Sequence, residues 1–393
     1  MERNIFEEEH EMFRDSVRSF MKNEIEPHSD KWHEQGIVDR EAFLKAGEMG
    51  LLLMWADEKY GGIGVRDFRY EQILIEENAH YGDPGFFMTL HSRLVGPYFD
   101  SFATDEQKAR WLPKCITGEH ILAIAITESG AGSDVAGLRT KADDKGDHYL
   151  LNGSKTYISN GILGDLIIVV ARTDSNNRHG FSLFVVERGM EGFERGRNLS
   201  KMGLKSQDTA ELFFNNVRVP KENLLGELDR GFYHLMHGLA EERLLGACGY
   251  VANAEAAFNL TLEYVNDRKA FGRPIADFQN TRFKMADMRT EIDVGYAFVD
   301  RCVEAHNAGE LTAEDAAKAK LWTSELEGRV TDECVQLHGG AGYMDEYKVS
   351  RLYTNARVSR IYAGSSEIMR EIIARSIGLD PRKRQKASKA DAA

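Results

Sequence analysis

Two adjacent acids, Glu241 and Glu242, stand in the stretch GLAEERLLGA (238–247), where the other residues are mostly apolar or small. At helical spacing Leu235, Leu239, Glu242, Gly246 and Gly249 share one face, which turns Glu242 inward. The adjacent stripe, Gly238, Glu241, Leu245, Cys248 and Ala252, is almost as apolar, so periodicity alone leaves both acids in play. An unpaired carboxylate in an apolar setting costs on the order of several kcal/mol, or its pKa rises until it holds a proton. A carboxyl group tuned in that way suits acid–base chemistry. An ion pair with Arg243, or a solvated helix face, is the structural alternative.

Four more stretches combine residues suited to ligand binding. In AIAITESGAGSD (123–134) Gly130, Ala131 and Gly132 let backbone approach a ligand, while Thr127, Ser129 and Ser133 offer hydroxyls. A plain turn is the alternative there, and the dinucleotide fingerprint GxGxxG is absent. RKAFGRPIADFQ (268–279) places two cations and an aromatic residue ahead of a Gly-Arg-Pro turn between helices. QLHGGAGY (336–343) ends a helix with a double glycine, where backbone can approach a phosphate or a neighbouring subunit. RIYAGSSEIM (360–369) reads as an extended segment entering a final helix, with Ser365 or Ser366 as N-cap.

The elements carrying these stretches fall into three blocks. From Glu7 to about Gly118 the period is helical, broken by Gly and Pro at 26–27, 58–64 and 82–86. Between about 122 and 230 the runs 148–161, 165–173, 181–189 and 210–220 are short and rich in β-branched and aromatic residues, as strands are. Helical segments then return over 231–266, 275–308, 312–338 and 365–377, which an antiparallel bundle requires. The expected limits are 1–122 for an N-terminal helical domain, 123–230 for a β domain, 231–380 for a helical bundle and 381–393 for a flexible basic tail.

A net charge of -13 over 393 residues argues against nucleic acid. Four cysteines without CxxC or other metal spacing suit a reducing compartment and no metal. The acidic, amphipathic start lacks the pattern of a secretory signal, and no apolar run reaches the ~20 residues of a membrane span. The expectation is a cytoplasmic protein, or one of the mitochondrial matrix if a transit peptide has been removed, with no membrane insertion.

The ordered series YGGIG, AITESGAGSDVAG, YISNG, KMGLKSQDTAELFF, RKAFGRP, QLHGGAGYMDEY and IYAGSSEI, from about Phe6 to Leu379, resembles the acyl-CoA dehydrogenase family. GFYHLM…EERLL and CVQLHGGAGYM look most like its long-chain branch. The resemblance implies a mainly α fold with an inserted β domain: helical domain, middle β-barrel, C-terminal four-helix bundle. It implies FAD held between the β domain and the bundle, a homotetramer built as a dimer of dimers, and electron-transfer flavoprotein as acceptor.

Carried over position by position, it places flavin contacts at Ile124, Ala125, Ile126, Thr127, Gly132, Ser133, Tyr157, Ile158 and Ser159. Arg268, Phe271, Gln279, Gln336, Leu337, His338, Gly339 and Gly340 match positions reaching FAD across the subunit interface. Ser365, Ser366 and Glu367 match a flavin-contacting segment. Acyl-CoA falls at Ser133, Tyr233, Ala240, Glu241, Glu242, Arg243, Ala363 and Gly364.

Many family members carry the catalytic glutamate directly after the Ile-Tyr pair, where this chain has Ala363. A second branch, with the long-chain and isovaleryl enzymes, uses an earlier Glu-Arg pair, which assigns the base to Glu242. The implied reaction is α,β-dehydrogenation of a fatty acyl-CoA, with a branched-chain dehydrogenase, an acyl-CoA oxidase and a non-catalytic acyl-CoA or flavin binder as alternatives. Two departures stand out: Ser129 replaces a usual proline, and Tyr157 occupies a place often held by Trp or Phe.

Overall fold

The computed structural model describes residues 3–381, so the tail expected over 381–393 lies outside it except for Pro381. Two compact units emerge, Phe6–Leu239 and a second made of residues 3–5 with 240–381.

The first unit opens with helices α1 Glu8–Phe20, α2 Ser29–Gln35, α3 Glu41–Glu48, α4 Phe68–Tyr81, α5 Gly96–Phe102 and α6 Asp105–Ile116. Local chemistry sets their ends. Thr104 and Gln107 exchange side-chain to backbone hydrogen bonds in a capping box that starts α6. Gly36 in the left-handed region, φ 78°, stops α2. Their apolar faces bury Phe20, Trp32, Phe43, Leu74, Phe99 and Trp111 in one core with Ile168, Val170, Phe181 and Leu183 of the sheet that follows.

That sheet has eight strands: β1 Leu122–Ala125, β2 Lys141–Asp144, β3 His148–Ser159, β4 Leu166–Arg172, β5 Phe181–Glu187, β6 Phe193–Asn198, β7 Thr209–Pro220 and β8 Leu224–Leu225. The order is β6-β7-β3-β2-β4-β5-β8, with β1 parallel to β4. β4 and β5 pair in register from Leu166–Glu187 to Arg172–Phe181 and are buried on both faces, which explains their continuous apolar runs. β1, β2, β6 and β8 were not evident from sequence, being two to six residues long or, like FERGRN of β6, largely polar. Asp165 ties helix to sheet by accepting from Arg40, Arg188 and the Ile121 N–H.

α7, Gly231–Asp267, crosses the division between the units. The second unit continues with the hairpin β9 Lys269–Ala270 and β10 Arg273–Pro274, then α8 Gln279–Asn307, α9 Ala313–His338, α10 Lys348–Ala356 and α11 Ser366–Ser376. Two expectations need correction. The helix expected from 275 begins at Gln279, because Pro274 and the 3-10 turn Ile275–Asp277 precede it. The segment before the last helix is not extended: α10 and the 3-10 turn Arg357–Arg360 fill it. Val349, Ala356 and Ser359 recur at helical spacing there and are buried, which is the pattern that signals the helix. All four cysteines are buried and outside any disulfide. Among the described residues no helix is long and apolar enough to cross a membrane.

Candidate active site

In the first unit, the strand end of β3 and the loop after β1 come together. The Thr156 N–H donates to Thr127 O at 2.9 Å, joining the segment of Tyr157, Ile158 and Ser159 to that of Ile124, Ala125, Ile126 and Thr127. The β3–β7 register shifts between Lys155 and Ile158, a bulge that places Tyr157 at φ 59° with its side chain 69% exposed. An aromatic residue in the left-handed region is strained by roughly 1–2 kcal/mol, a marker of functional sites. Glu128 and Ala131 exchange N–H to O bonds of 3.0 Å, closing a turn with Ser129 and Gly130 at its corners. Ser129 thus sits in a turn closed by hydrogen bonds, which holds its shape without proline. A Cβ at Gly130 or Gly132 would meet nothing within 4 Å, and Gly132 and Ser133 are exposed. An outward-held aromatic ring, nearby hydroxyls and open backbone fit a planar, polar-edged cofactor. Tyr233, on the first turns of α7, is half exposed.

In the second unit Glu241 and Glu242 are both half-buried, so burial does not separate them. The face expected to be buried, with Leu239, Glu242, Gly246 and Gly249, is only partly so. The buried face is broad: it runs from Arg243, Ala247, Tyr250 and Ala254 through Leu244 and Val251 to Leu245, Cys248 and Ala252 of the adjacent stripe. Arginine looks polar on any scale, yet its aliphatic stem packs, which lets Arg243 join that face. Glu241 lies 3.5 Å from His306 Nε2. Arg243 Nε has no hydrogen-bond partner among the described residues. Burial pulls the Arg243 pKa down, against the charge of Glu242, which pulls it up. Ala240 is half-buried on the same turn.

Ala363 and Gly364 form a left-handed pair, φ 50° and 90°. Lys320, fully buried on α9, donates to Gly364 O and Ser359 O at 2.7 Å each and so fixes both flanks of that turn. Burial lowers its pKa to about 8, helped by the charge of Arg243. Ser365 caps α11 through Ile368 N, Ser366 donates to Glu325, and Glu367 is exposed in the first turn.

The other expected residues gather at the far end of α7. Arg268 N–H donates to Tyr264 O, and Tyr264 donates to His338 O while stacking on the His338 ring at 4.2 Å. Gln336 and Leu337 close α9, and Gly339 and Gly340 follow, exposed and with open space at Cβ. Phe271, at φ 55° on the hairpin tip beside Gly272, is 95% exposed, and Gln279 is exposed at the start of α8. A cavity of about 560 Å³ lined by Arg3, Glu255, Arg289, Tyr296 and Asp300 contains none of these residues.

Sequence reasoning missed Lys155, Lys320 and Glu327. Lys155 is fully buried, donating to Ile126 O and Glu128. Glu327 is buried on α9, accepting from Asn253 at 3.0 Å. Burial pushes its carboxyl up to about 8, against the pull of Ser359, Asn253, Arg360 and Lys320. The available signal was spacing: Ala316, Lys320, Thr323, Glu327 and Thr331 recur every three or four residues and are all buried.

Comparison with known proteins identifies the family and the fold. Family models for the acyl-CoA dehydrogenase N-terminal, middle and C-terminal domains match residues 7–119, 123–217 and 229–378. The chain is 49% identical over 381 residues to the long-chain specific acyl-CoA dehydrogenase of Mus musculus mitochondria, covering 96% of this chain and 88% of that one. A crystal structure of acyl-CoA dehydrogenase from Geobacillus kaustophilus superposes with a TM-score of 0.94 at 48% identity, covering 96% and 100%. A glutaryl-CoA dehydrogenase of Mycobacterium smegmatis, in complex with FADH2, superposes with a TM-score of 0.89 at 28% identity, covering 96% of each chain. The chain belongs to the acyl-CoA dehydrogenase family of FAD-dependent oxidoreductases.

Proposed function

We propose that this acyl-CoA dehydrogenase acts on long-chain fatty acyl-CoA, forming the trans-2-enoyl thioester with Glu242 as the base. The observation that carries the assignment is a pair of positions: alanine stands at 363, and a half-buried carboxylate stands at 242 beside the buried Arg243. Similarity to the mouse long-chain enzyme supports the chain length.

Glu242 takes the α proton of the thioester, a placement worth about 10²- to 10⁴-fold in rate. Arg243 stands next to Glu242 in sequence, buried and with its Nε lacking a hydrogen-bond partner among the described residues. The Ala363 N–H donates to the thioester oxygen as negative charge develops there, and Lys320 keeps that turn from rearranging. FAD, when bound, would supply the redox chemistry as the acceptor for a hydride from the β carbon. Thr127, Ser133, Tyr157 and Ser159 would contact the cofactor through the β domain, and Ser365 to Glu367 are the further flavin-contacting positions that the family resemblance implies. Arg268, Phe271, Gln279 and residues 336–340 serve the site of a second subunit, in a homotetramer. Electron-transfer flavoprotein is the acceptor, and the protein works in the cytoplasm. Domain limits at 122/123 and 230/231 belong to the same reading.

The test is anaerobic mixing of the yellow protein with palmitoyl-, butyryl- and isovaleryl-CoA while the visible flavin band is followed. Fastest bleaching with palmitoyl-CoA is expected. Fastest bleaching with either short thioester would overturn the long-chain assignment, and no bleaching with any of them would overturn the catalytic roles.

A further inference from the structure

Behind the loop that follows β1 lies a buried ion pair that the reaction does not use. Lys155 is fully buried on β3, and its Nζ donates to Ile126 O and to Glu128 Oε1, each at 2.9 Å. The Glu128 carboxylate, 9% exposed, also accepts from the backbone N–H groups of Arg139 at 2.7 Å and Thr140 at 2.9 Å. Its own backbone closes the turn to Ala131. One carboxylate therefore joins the loop, the start of β2 and the interior of β3.

The peptide bond is planar and trans, so an inward Ile126 carbonyl points the Thr127 N–H the opposite way, away from Lys155. The next carbonyl, Thr127 O, is taken by the Thr156 N–H. Both peptide planes around Thr127 are thus set by β3. The same strand bulges one residue further on, turning Tyr157 outward while Lys155 stays inward. The loop and the exposed aromatic ring are consequently referenced to one point, the Lys155 ammonium.

We propose that Lys155 is the positioning residue of the flavin-binding loop: by clamping Ile126 O and Glu128 it holds the Thr127 backbone ready for FAD. This rests on the flavin reading of residues 124–133 and 157–159 given above. Burial lowers the Lys155 pKa to about 8 against the pull of Glu128, a strain that a side chain free to reach solvent would escape. Without the clamp the loop samples other peptide orientations. If the competent one then makes up about 1–10% of the molecules, apparent FAD affinity falls by about 10- to 100-fold.

The experiment uses the full chain, stripped of flavin and titrated with FAD, in the wild type and in Lys155→Met, Glu128→Gln and Thr127→Val. Unfolding midpoints of the apoproteins and hydrogen exchange at the Thr156 amide are measured alongside. Lys155→Met, which orphans Ile126 O and Glu128, is expected to lower the apoprotein midpoint, and under conditions where the apoprotein is still folded to weaken FAD binding by about 10- to 100-fold and to speed Thr156 exchange. Glu128→Gln, which keeps the Ile126 clamp, should weaken binding less, and it decides the matter if Lys155→Met does not fold. FAD binding unchanged in Lys155→Met and Glu128→Gln, with Thr127→Val impaired, would overturn the positioning role and leave the flavin loop in place. Unchanged binding in all three would overturn the flavin placement itself, and an affinity loss that only tracks global unfolding would make the ion pair merely structural.

Discussion

Replacing Glu327 by glutamine should remove a loss of stability that the wild-type chain suffers as pH rises from about 5 to 7. Glu327 sits on α9 with Lys320 on its own helix, Asn253 and Tyr250 of α7 packed against it, and Ser359, Arg360 and Tyr362 on the segment beyond α10. Burial outweighs the favourable influence of these groups and lifts the carboxyl to about 8 from an ordinary 4.5. A raised folded pKa means that the native state holds a proton which the unfolded chain releases. Its stabilisation is complete below about pH 4.5 and drains away as pH climbs to about 8. At about 1.4 kcal/mol for each pH unit within that window, discounted where few unfolded chains have ionised, the loss between pH 5 and 7 is about 2 kcal/mol. Glutamine keeps an acceptor for Asn253 and an N–H donor in place of the acid O–H, without a titrating proton. The assay is the unfolding midpoint of both proteins across that range, where 1 kcal/mol is worth about 2–4 °C in a domain of this size. The variant should gain on wild type by about 5 °C from pH 5 to 7. A constant difference across the range, or a variant that loses ground as pH rises, would refute the buried neutral acid.

The turn ahead of α11 supplies a paired test. Ala363→Gly relieves a left-handed alanine at φ 50° and should be neutral or stabilising by up to about 1 kcal/mol, whereas Gly364→Ala, whose Cβ would stand 2.7 Å from Met369 Cε at φ 90°, should cost more than about 1 kcal/mol in denaturant unfolding. Lys320→Met strips the donor from Ser359 O and Gly364 O, at about 1–3 kcal/mol for each orphaned carbonyl and offset in part by release of a buried charge, so the midpoint should fall and single-turnover flavin reduction should slow by at least about tenfold.

The long helices were legible because their apolar period runs for several turns, and β4 and β5 because continuous β-branched runs mark strands buried on both faces. α10 was hidden by its residues: KVSRLYTNA mixes β-branched and polar types, and only the spacing of Val349, Ala356 and Ser359 betrays it. The glycine-rich loop and the N-cap at Ser365 announced themselves through residue types that serve turns and caps. Lys155, Lys320 and Glu327 did not, because a charged residue in sequence reads as surface unless its partners are known. Those partners are backbone carbonyls and an asparagine from distant segments, Ile126 O for Lys155, Ser359 O and Gly364 O for Lys320, and Asn253 for Glu327. The choice between Glu241 and Glu242 likewise depends on family resemblance, since both are half-buried.

That choice is the center of the catalytic account, and single-turnover flavin reduction by a saturated acyl-CoA under anaerobic conditions tests it most directly in Glu242→Gln and Glu241→Gln. Glu242→Gln should bind FAD and acyl-CoA yet leave the flavin oxidised, while Glu241→Gln should reduce within about tenfold of the wild-type rate. Reduction that survives in Glu242→Gln and disappears in Glu241→Gln would move the base to the neighbouring acid and contradict the account.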